Sequence, residues 1–202
     1  MRDSEIVFRD LAYEYQELIN NQNNPFQIRR IFGRFIVASQ QLTSTFRKEY
    51  KAIKNDDWQA KEFTGWNAVT GLFKVLRNYD QHECPVTINV KETQFYPVGE
   101  IEAENGKSRT IYMAPEVVWG LGDPFSEEIP HGEMEIEFFD ENKNKINGME
   151  LKKIEYSFIL NAKTEEIKQL IKNSGSDDIH ILSKECYEVL KQYYEFYKQK
   201  IK

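Results

Sequence analysis

The sequence predicts an α+β fold: an antiparallel helical bundle with a β-sheet-containing insertion between its third and final long helices. Apolar residues recur every three or four positions in residues 4–82 and 183–201, which is the spacing of amphipathic helices. In several segments between residues 86 and 160, apolar and polar residues alternate, as in strands with one buried face. Hydrophobic residues make up 40% of the chain and aromatic residues 13%, which is enough for a packed core. Because there is no internal repeat and no clear linker, residues 1–202 are predicted to form a single domain.

Four long helices are predicted in the bundle. A polar run that ends in Pro25 separates the first helix from the second, and Pro85 ends the third because proline has no backbone N–H to donate. Ser4 and Ser183 are the predicted N-caps of the first and last helices, since a serine oxygen accepts from free N–H groups there. The predicted ranges are about 4–20, 26–54, 58–82 and 183–201.

The insertion is predicted to span about residues 86–160 and to be rich in strands. Asn105-Gly106 lies between two strand-like segments and favours a tight hairpin turn. The segment 115–132 is rich in proline and glycine and is predicted to be an ordered loop, and a short helix is predicted over 164–172. The predicted strands are 86–90, 100–104, 108–113, 133–140 and 153–160.

Composition narrows the classes of protein that the chain can belong to. No apolar run approaches the roughly 18–20 residues that span a bilayer, and the first residues lack the apolar stretch of a signal peptide. We therefore expect a cytoplasmic protein without a membrane partner. The formal net charge is −6, so binding of RNA would need a local basic patch on an acidic molecule.

The sequence gives no sign of a cofactor or a metal ion. It contains no P-loop, no glycine-rich dinucleotide motif and no G-x-S-x-G motif. Cys84 and Cys186 are far apart and lack C-x-x-C spacing, so we expect both to be small core residues rather than a disulfide or zinc ligands. No cofactor and no metal site are predicted.

The candidate catalytic residues lie at the end of the third predicted helix: Arg77, Asn78 and His82. An arginine can hold a phosphate and stabilise charge that develops on it, and an asparagine can donate to a phosphate oxygen or orient an imidazole. Histidine can exchange a proton near neutral pH. These groups suit metal-independent RNA cleavage, in which a ribose 2′-hydroxyl attacks the neighbouring phosphate. Purely structural roles remain open: Arg77 can pair with an acidic neighbour and His82 can cap the helix.

The spacing of Arg77 and His82 imposes a geometric condition on any shared site. Five residues along an ideal α-helix turn by about 140°, so the two side chains would not share one face. Either the helix loosens before Pro85, or the two groups act across two chains. On the second helix, Arg30 and Arg34 lie one turn apart on the polar side and are predicted to bind RNA, with a solvated face as the alternative.

An arginine, an asparagine directly after it and a histidine after four intervening residues resemble the R-x4-6-H signature of the HEPN domain (higher eukaryotes and prokaryotes nucleotide-binding). Residues 26–49 also look like the second helix of bacterial HEPN-like proteins, and the resemblance covers about the first 85 residues and the final helix. Some HEPN toxins carry a tyrosine two positions after the histidine, where an antitoxin modifies it. Cys84 stands there in this chain, so the resemblance does not extend to that route of regulation.

The resemblance implies a HEPN-like antiparallel bundle and a homodimer whose motifs meet at a symmetric interface. It further implies a metal-independent ribonuclease, as in toxins and defence effectors, with Arg77 on the scissile phosphate, His82 as acid or base and Asn78 as the orienting group. An antitoxin or another protein partner would belong to that function. The alternative is a non-catalytic HEPN-like module that binds RNA or a protein through its β-rich insertion.

Overall fold

Residues 2–82, 86–102, 108–121, 138–139, 142–146 and 151–202 are described by a computed structural model of the chain. Within them the chain forms five α-helices and two antiparallel sheets, which confirms the predicted α+β class. The helices are α1 (Asp3–Asn20), α2 (Pro25–Lys54), α3 (Ala68–His82), α4 (Glu165–Ser174) and α5 (Ile179–Lys200). The strands are β1 (Ile88–Glu102), β2 (Ser108–Met113), β3 (Glu116–Leu121), β4 (Phe138–Phe139), β5 (Lys145–Ile146) and β6 (Lys153–Leu160).

The first two helices begin and end within one residue of their predicted ranges, but Ser4 is not the N-cap of α1. Arg2 holds the cap position, and Ser4 is buried in the first turn. The backbone N–H and the hydroxyl of Ser4 donate to the carboxylate of Glu49 on α2, at 2.9 and 2.8 Å. The Tyr197 hydroxyl of α5 donates to the same carboxylate at 3.0 Å. Glu49 therefore connects α1, α2 and α5 through hydrogen bonds. The residues around Ser4 in the sequence do not indicate this long-range contact.

The prediction that the third helix begins near Trp58 is wrong, since α3 begins at Ala68. Asn67 caps it: its side-chain oxygen accepts from the backbone N–H of Thr70 at 3.1 Å, and its own N–H donates to the Thr70 hydroxyl at 3.2 Å. Upstream, Trp58 and Phe63 are buried in an irregular segment that contains a short 3₁₀ helix (Ala60–Glu62). Both rings are buried because they pack against aromatic rings of α5.

The last helix begins at Ile179, four residues before the predicted start, so the prediction of Ser183 as its N-cap is wrong. The Asp178 carboxylate accepts from the N–H groups of His180 and Ile181, at 2.8 and 3.2 Å. A carboxylate at this position also interacts favourably with the positive end of the helix dipole. Ser183 lies buried inside the helix. The short helix α4 begins after Thr164, whose hydroxyl accepts from Ile167, close to the predicted range.

The central strand of the main sheet is β1. Along one edge it pairs with β6 in antiparallel register, and along the other edge it pairs with β2 and β3. The last two follow one continuous register, because Tyr96 pairs with Met113 and Thr93 pairs with Glu116. The pairing of Glu102 with Ser108 confirms the two arms of the predicted hairpin. The predicted turn at Asn105-Gly106 lies outside the described residues.

The structure bears on two further predictions about the insertion. The loop predicted over residues 115–132 is wrong for Glu116–Leu121, because this segment pairs with β1 as β3. Its valines and tryptophan favour a strand, whereas the surrounding prolines and glycines favour a loop. Residues 122–132 lie outside the described part of the chain. Of the strand predicted over 133–140, Phe138–Phe139 is described, and it pairs with β5.

The main sheet packs against the helices and shares their core. Ile88, Val90 and Phe158 are fully buried in the same cluster as Ile179 and Leu182 of α5. The β-rich insertion is therefore packed onto the bundle where β6 meets the start of α5. No helix in the described part of the chain combines the length and the apolar character that crossing a membrane would need.

His180 lies at this junction of sheet and helix, and its burial lowers its pKa from the ordinary value, with Asp178 opposing the effect in part. Its ring meets the ring of Phe158 edge-on at 5.7 Å, and its buried Nε2 has no hydrogen-bond partner among the described residues. As the pH falls below about 6.5, the unfolded chain takes up a proton on His180 more readily than the folded chain does. We therefore expect the free energy of unfolding to decrease in this range.

The measurement is urea unfolding of the wild type and of His180→Gln between pH 7.5 and pH 5. The glutamine variant cannot gain a proton at this position, so its stability should fall less on acidification than that of the wild type. Carboxylates titrate in both proteins and cancel in the comparison. Parallel pH profiles for the two proteins would contradict the prediction.

Candidate nucleic-acid interface

A groove of about 540 Å³ lies between α2 and α3, and part of α5 contributes to its lining. Arg47 of α2 and Lys74 and Arg77 of α3 line this α2/α3 groove, which gives it three positive charges. No acidic side chain is found among the described residues that line it. The formal net charge of the chain is −6, so the groove has the opposite sign to the molecule as a whole. Such a groove attracts anions.

Arg77 is partly buried in the wall of this groove, and Asn78 beside it is exposed. One terminal nitrogen of Arg77 donates to the Asn78 side-chain oxygen over 3.4 Å, which is a long contact. No ion pair involves Arg77 within the residues that the structure describes. The structural alternative, in which an acidic neighbour neutralises Arg77, is thus not observed there. Beyond this long contact, the described residues provide no acceptor for the other guanidinium donors of Arg77, which lines the groove.

The remaining polar lining consists of amides and hydroxyls from both helices. From Asn67 to Asn78 these groups recur at helical spacing together with the cations, so they share one face of α3. On α2 they occupy the facing side of the groove. Such groups can hydrogen-bond to phosphate, ribose or base edges. The residues are Ser39, Gln40, Gln41, Thr43, Ser44, Asn67 and Thr70.

The third predicted catalytic residue, His82, is the last residue of α3, and its side chain lies outside the described part of the structure. The helix remains α-helical from Arg77 to His82, so it does not loosen between them. The two positions are therefore about 140° apart around the helix axis. His82 follows Asn78 by one turn and occupies the same side of α3 as Asn78. One helix alone does not aim Arg77 and His82 at a common point.

Arg30 and Arg34 line a second groove, of about 570 Å³, between α1 and α2. The structure does not bring them together with Arg77. Arg34 pairs with Glu14 of α1, with 2.8 Å between Nε and Oε2, while Arg30 is exposed. Asp10 also lines this groove, so its charge is mixed. RNA binding by these two arginines stays a prediction, and the ion pair weakens it for Arg34.

Sequence reasoning missed three residues of the α2/α3 groove. These are Arg47 of α2, Trp66 just before α3, and Lys74 of α3. For α3, the signal was present as polar residues at helical spacing from Asn67 to Asn78. For Arg47, no local pattern reveals that its part of α2 faces α3.

The groove also contains the buried Cys186 of α5. Burial raises the pKa of its thiol, so it remains protonated and unreactive at neutral pH. The expectation of a core residue is confirmed for Cys186, while Cys84 lies outside the described residues. In the described part of the chain, no group of three or more histidine, cysteine or carboxylate side chains can hold a metal ion.

Comparisons with protein-family models, with curated protein sequences and with solved structures gave no match to this chain.

Proposed function

We propose that the chain is a HEPN-like, metal-independent endoribonuclease that binds RNA in the α2/α3 groove. The observation that carries this proposal is Arg77, which has no ion-pair partner among the described residues and lies in a groove with three cations and no described carboxylate. Nucleic-acid binding depends mainly on cations that contact phosphates. The groove supplies these cations on a chain whose overall charge would repel RNA.

The proposed reaction is attack of a ribose 2′-oxygen on the adjacent phosphorus, with cleavage of the bond from phosphorus to the 5′-oxygen. Arg77 binds the non-bridging phosphate oxygens and stabilises their charge in the transition state. His82 either accepts the proton of the 2′-hydroxyl or donates a proton to the departing 5′-oxygen. Asn78 donates to the phosphate or orients the imidazole. The products are a cyclic phosphate end and a free 5′-hydroxyl end.

The proposed enzyme is a homodimer with a composite site. The angle of about 140° between the positions of Arg77 and His82 on α3 supports this arrangement, because a second copy can bring its own His82 to the Arg77 of the first. The resemblance to HEPN toxins and defence effectors supports the same arrangement. It also supports a protein partner, such as an antitoxin, that controls the activity.

A second candidate function is a non-catalytic interaction module. It is favoured by the exposed apolar side chains of the β2 and β3 edge, where Val118 is 63% exposed and Tyr112 is 44% exposed. Apolar side chains that cluster on a surface favour contact with another protein. We rank this function second because it gives no reason for the positive groove around Arg77.

The test of the proposed function is incubation of the purified protein with single-stranded RNA in excess chelator. The expected result is cleavage that leaves cyclic phosphate and 5′-hydroxyl ends, because no metal-bound water takes part. Lys191→Ala is a matched control, since Lys191 is an exposed cation of α5 that lies away from the groove. Cleavage that depends on added metal would contradict the proposed mechanism. No cleavage and no binding of RNA would favour the interaction module.

A further inference from the structure

Trp66 is a partly exposed aromatic residue in the lining of the α2/α3 groove. Its indole N–H donates to the backbone carbonyl of Ala60 at 2.9 Å, which satisfies its one polar group within the protein. Its ring meets Tyr193 with 4.5 Å between centroids and Phe63 edge-on at 5.1 Å. The indole is thus fixed from behind, while 37% of the residue remains exposed. Such a ring offers an immobile apolar surface to whatever occupies the groove.

The surroundings of Trp66 are cationic and polar rather than apolar. Burial raises the pKa of Tyr193, and the charge of Arg47 is among the groups that oppose this rise, which places Arg47 near the ring that holds Trp66. At the other end of the groove are Lys74 and Arg77. From Asn67 to Arg77, α3 rises by about 15 Å. The groove is therefore positive at both ends: Arg47 lies near Trp66 at one end, and Lys74 and Arg77 lie at the other.

We propose that Trp66 is a stacking platform for one base of a single-stranded RNA whose phosphates contact Arg47, Lys74 and Arg77. This inference rests on the proposed function and assigns it a substrate class: unpaired RNA rather than a duplex. A base inside a duplex is already stacked on its neighbours, whereas an unpaired base can stack on an aromatic side chain. Stacking of a base on Trp66 also positions the RNA strand. The distance from the stacked base then determines which phosphate Arg77 binds.

Glu185 places a negative charge at the edge of the proposed RNA site, beside Trp66. Its carboxylate accepts a hydrogen bond from the Asn67 side-chain N–H₂ group at 2.7 Å, next to Trp66. A carboxylate close to the bound RNA backbone repels its phosphates and weakens binding. Glu185→Gln keeps an acceptor for Asn67 and removes the charge, so this variant is expected to bind RNA more tightly than the wild type.

The experiment is equilibrium binding of a fluorescent single-stranded RNA that carries 2′-O-methyl groups and cannot be cleaved. Trp66→Ala is expected to weaken binding about tenfold, and Trp66→Phe is expected to retain most of the affinity because phenylalanine can still stack. Phe139→Ala is a matched control that removes an exposed aromatic ring from β4, outside the groove. An oligomer with abasic sites should bind the wild type about as weakly as normal RNA binds Trp66→Ala.

The comparison with abasic RNA uses the wild-type protein, so it is informative even where Trp66→Ala unfolds. Equal affinity for abasic and normal RNA would overturn the stacking platform while leaving the ribonuclease proposal intact. Binding that depends on Trp66, without cleavage of unmodified RNA, would contradict the ribonuclease and retain the platform. No binding of either RNA would overturn both.

Discussion

Replacing Arg77 or His82 by alanine is expected to reduce RNA cleavage by at least about 100-fold in each case. General acid–base help is worth about 10²–10⁴-fold, and loss of a preorganised charge at a developing oxyanion has a similar effect. Arg77→Lys is also expected to be strongly impaired, because a lysine ammonium lacks the planar fork that binds two phosphate oxygens at once. Asn78→Ala should lose less, since Asn78 orients or donates rather than transferring a proton.

The measurement is the initial rate of RNA cleavage in chelator, with Lys191→Ala as the control for loss of a positive charge. Thermal unfolding and the oligomeric state of each variant should match those of the wild type. Full activity of folded Arg77→Ala would remove Arg77 from the mechanism. Residual cleavage in His82→Ala with unchanged pH dependence would show that another group transfers the proton.

A mixing experiment tests the composite site directly. In the proposed dimer, Arg77 of one copy acts with His82 of the other, since the two positions on α3 are about 140° apart. When inactive Arg77→Ala and His82→Ala proteins are mixed and allowed to exchange, half of the dimers contain one chain of each kind. Each such dimer has one site with both groups intact, so about a quarter of wild-type activity is expected. No recovery after verified exchange would contradict a site that takes one group from each chain.

The predictable parts of the fold are those with strong local signals. The polar run before Pro25 separates α1 from α2, and Asn105-Gly106 indicates a hairpin whose arms indeed pair. Alternating residues predict β6 over Lys153–Leu160. In each case the residues that fix the element lie within it or next to it. Tertiary contacts agree with these local preferences and do not change the elements that they predict.

The parts that could not be predicted depend on partners far away in the sequence. Trp58 is buried in an irregular segment because it contacts Tyr193, which lies 135 residues later in the chain. The charge of Arg34 is offset by Glu14, and Arg47 joins Arg77 in one groove through the packing of α2 on α3. The sequence therefore indicated the types of residue at the site, but their neighbours in space depend on how the helices pack.

Trp58 is the residue whose truncation is expected to destabilise the fold most. It is 7% exposed, and its indole N–H donates to the Tyr193 hydroxyl at 2.6 Å. Its ring packs against four further aromatic rings from α2 and α5, those of Phe46, Tyr50, Phe196 and Tyr197. Trp58→Ala removes both the hydrogen bond and the central ring and leaves a cavity. The expected loss is about 3–5 kcal/mol of unfolding free energy.

Two further variants separate the contributions of Trp58. Tyr193→Phe keeps the ring and removes the acceptor, which leaves a buried indole N–H unsatisfied at a cost of about 1–3 kcal/mol. Tyr112→Ala truncates an exposed ring on β2 and should change stability by less than about 0.5 kcal/mol. Urea unfolding followed by circular dichroism measures all three. Because the cluster joins α2, α5 and the segment before α3, loss of Trp58 should also displace Trp66 and weaken RNA binding. A Trp58→Ala variant as stable as the wild type would show that the irregular segment before α3 does not depend on this cluster.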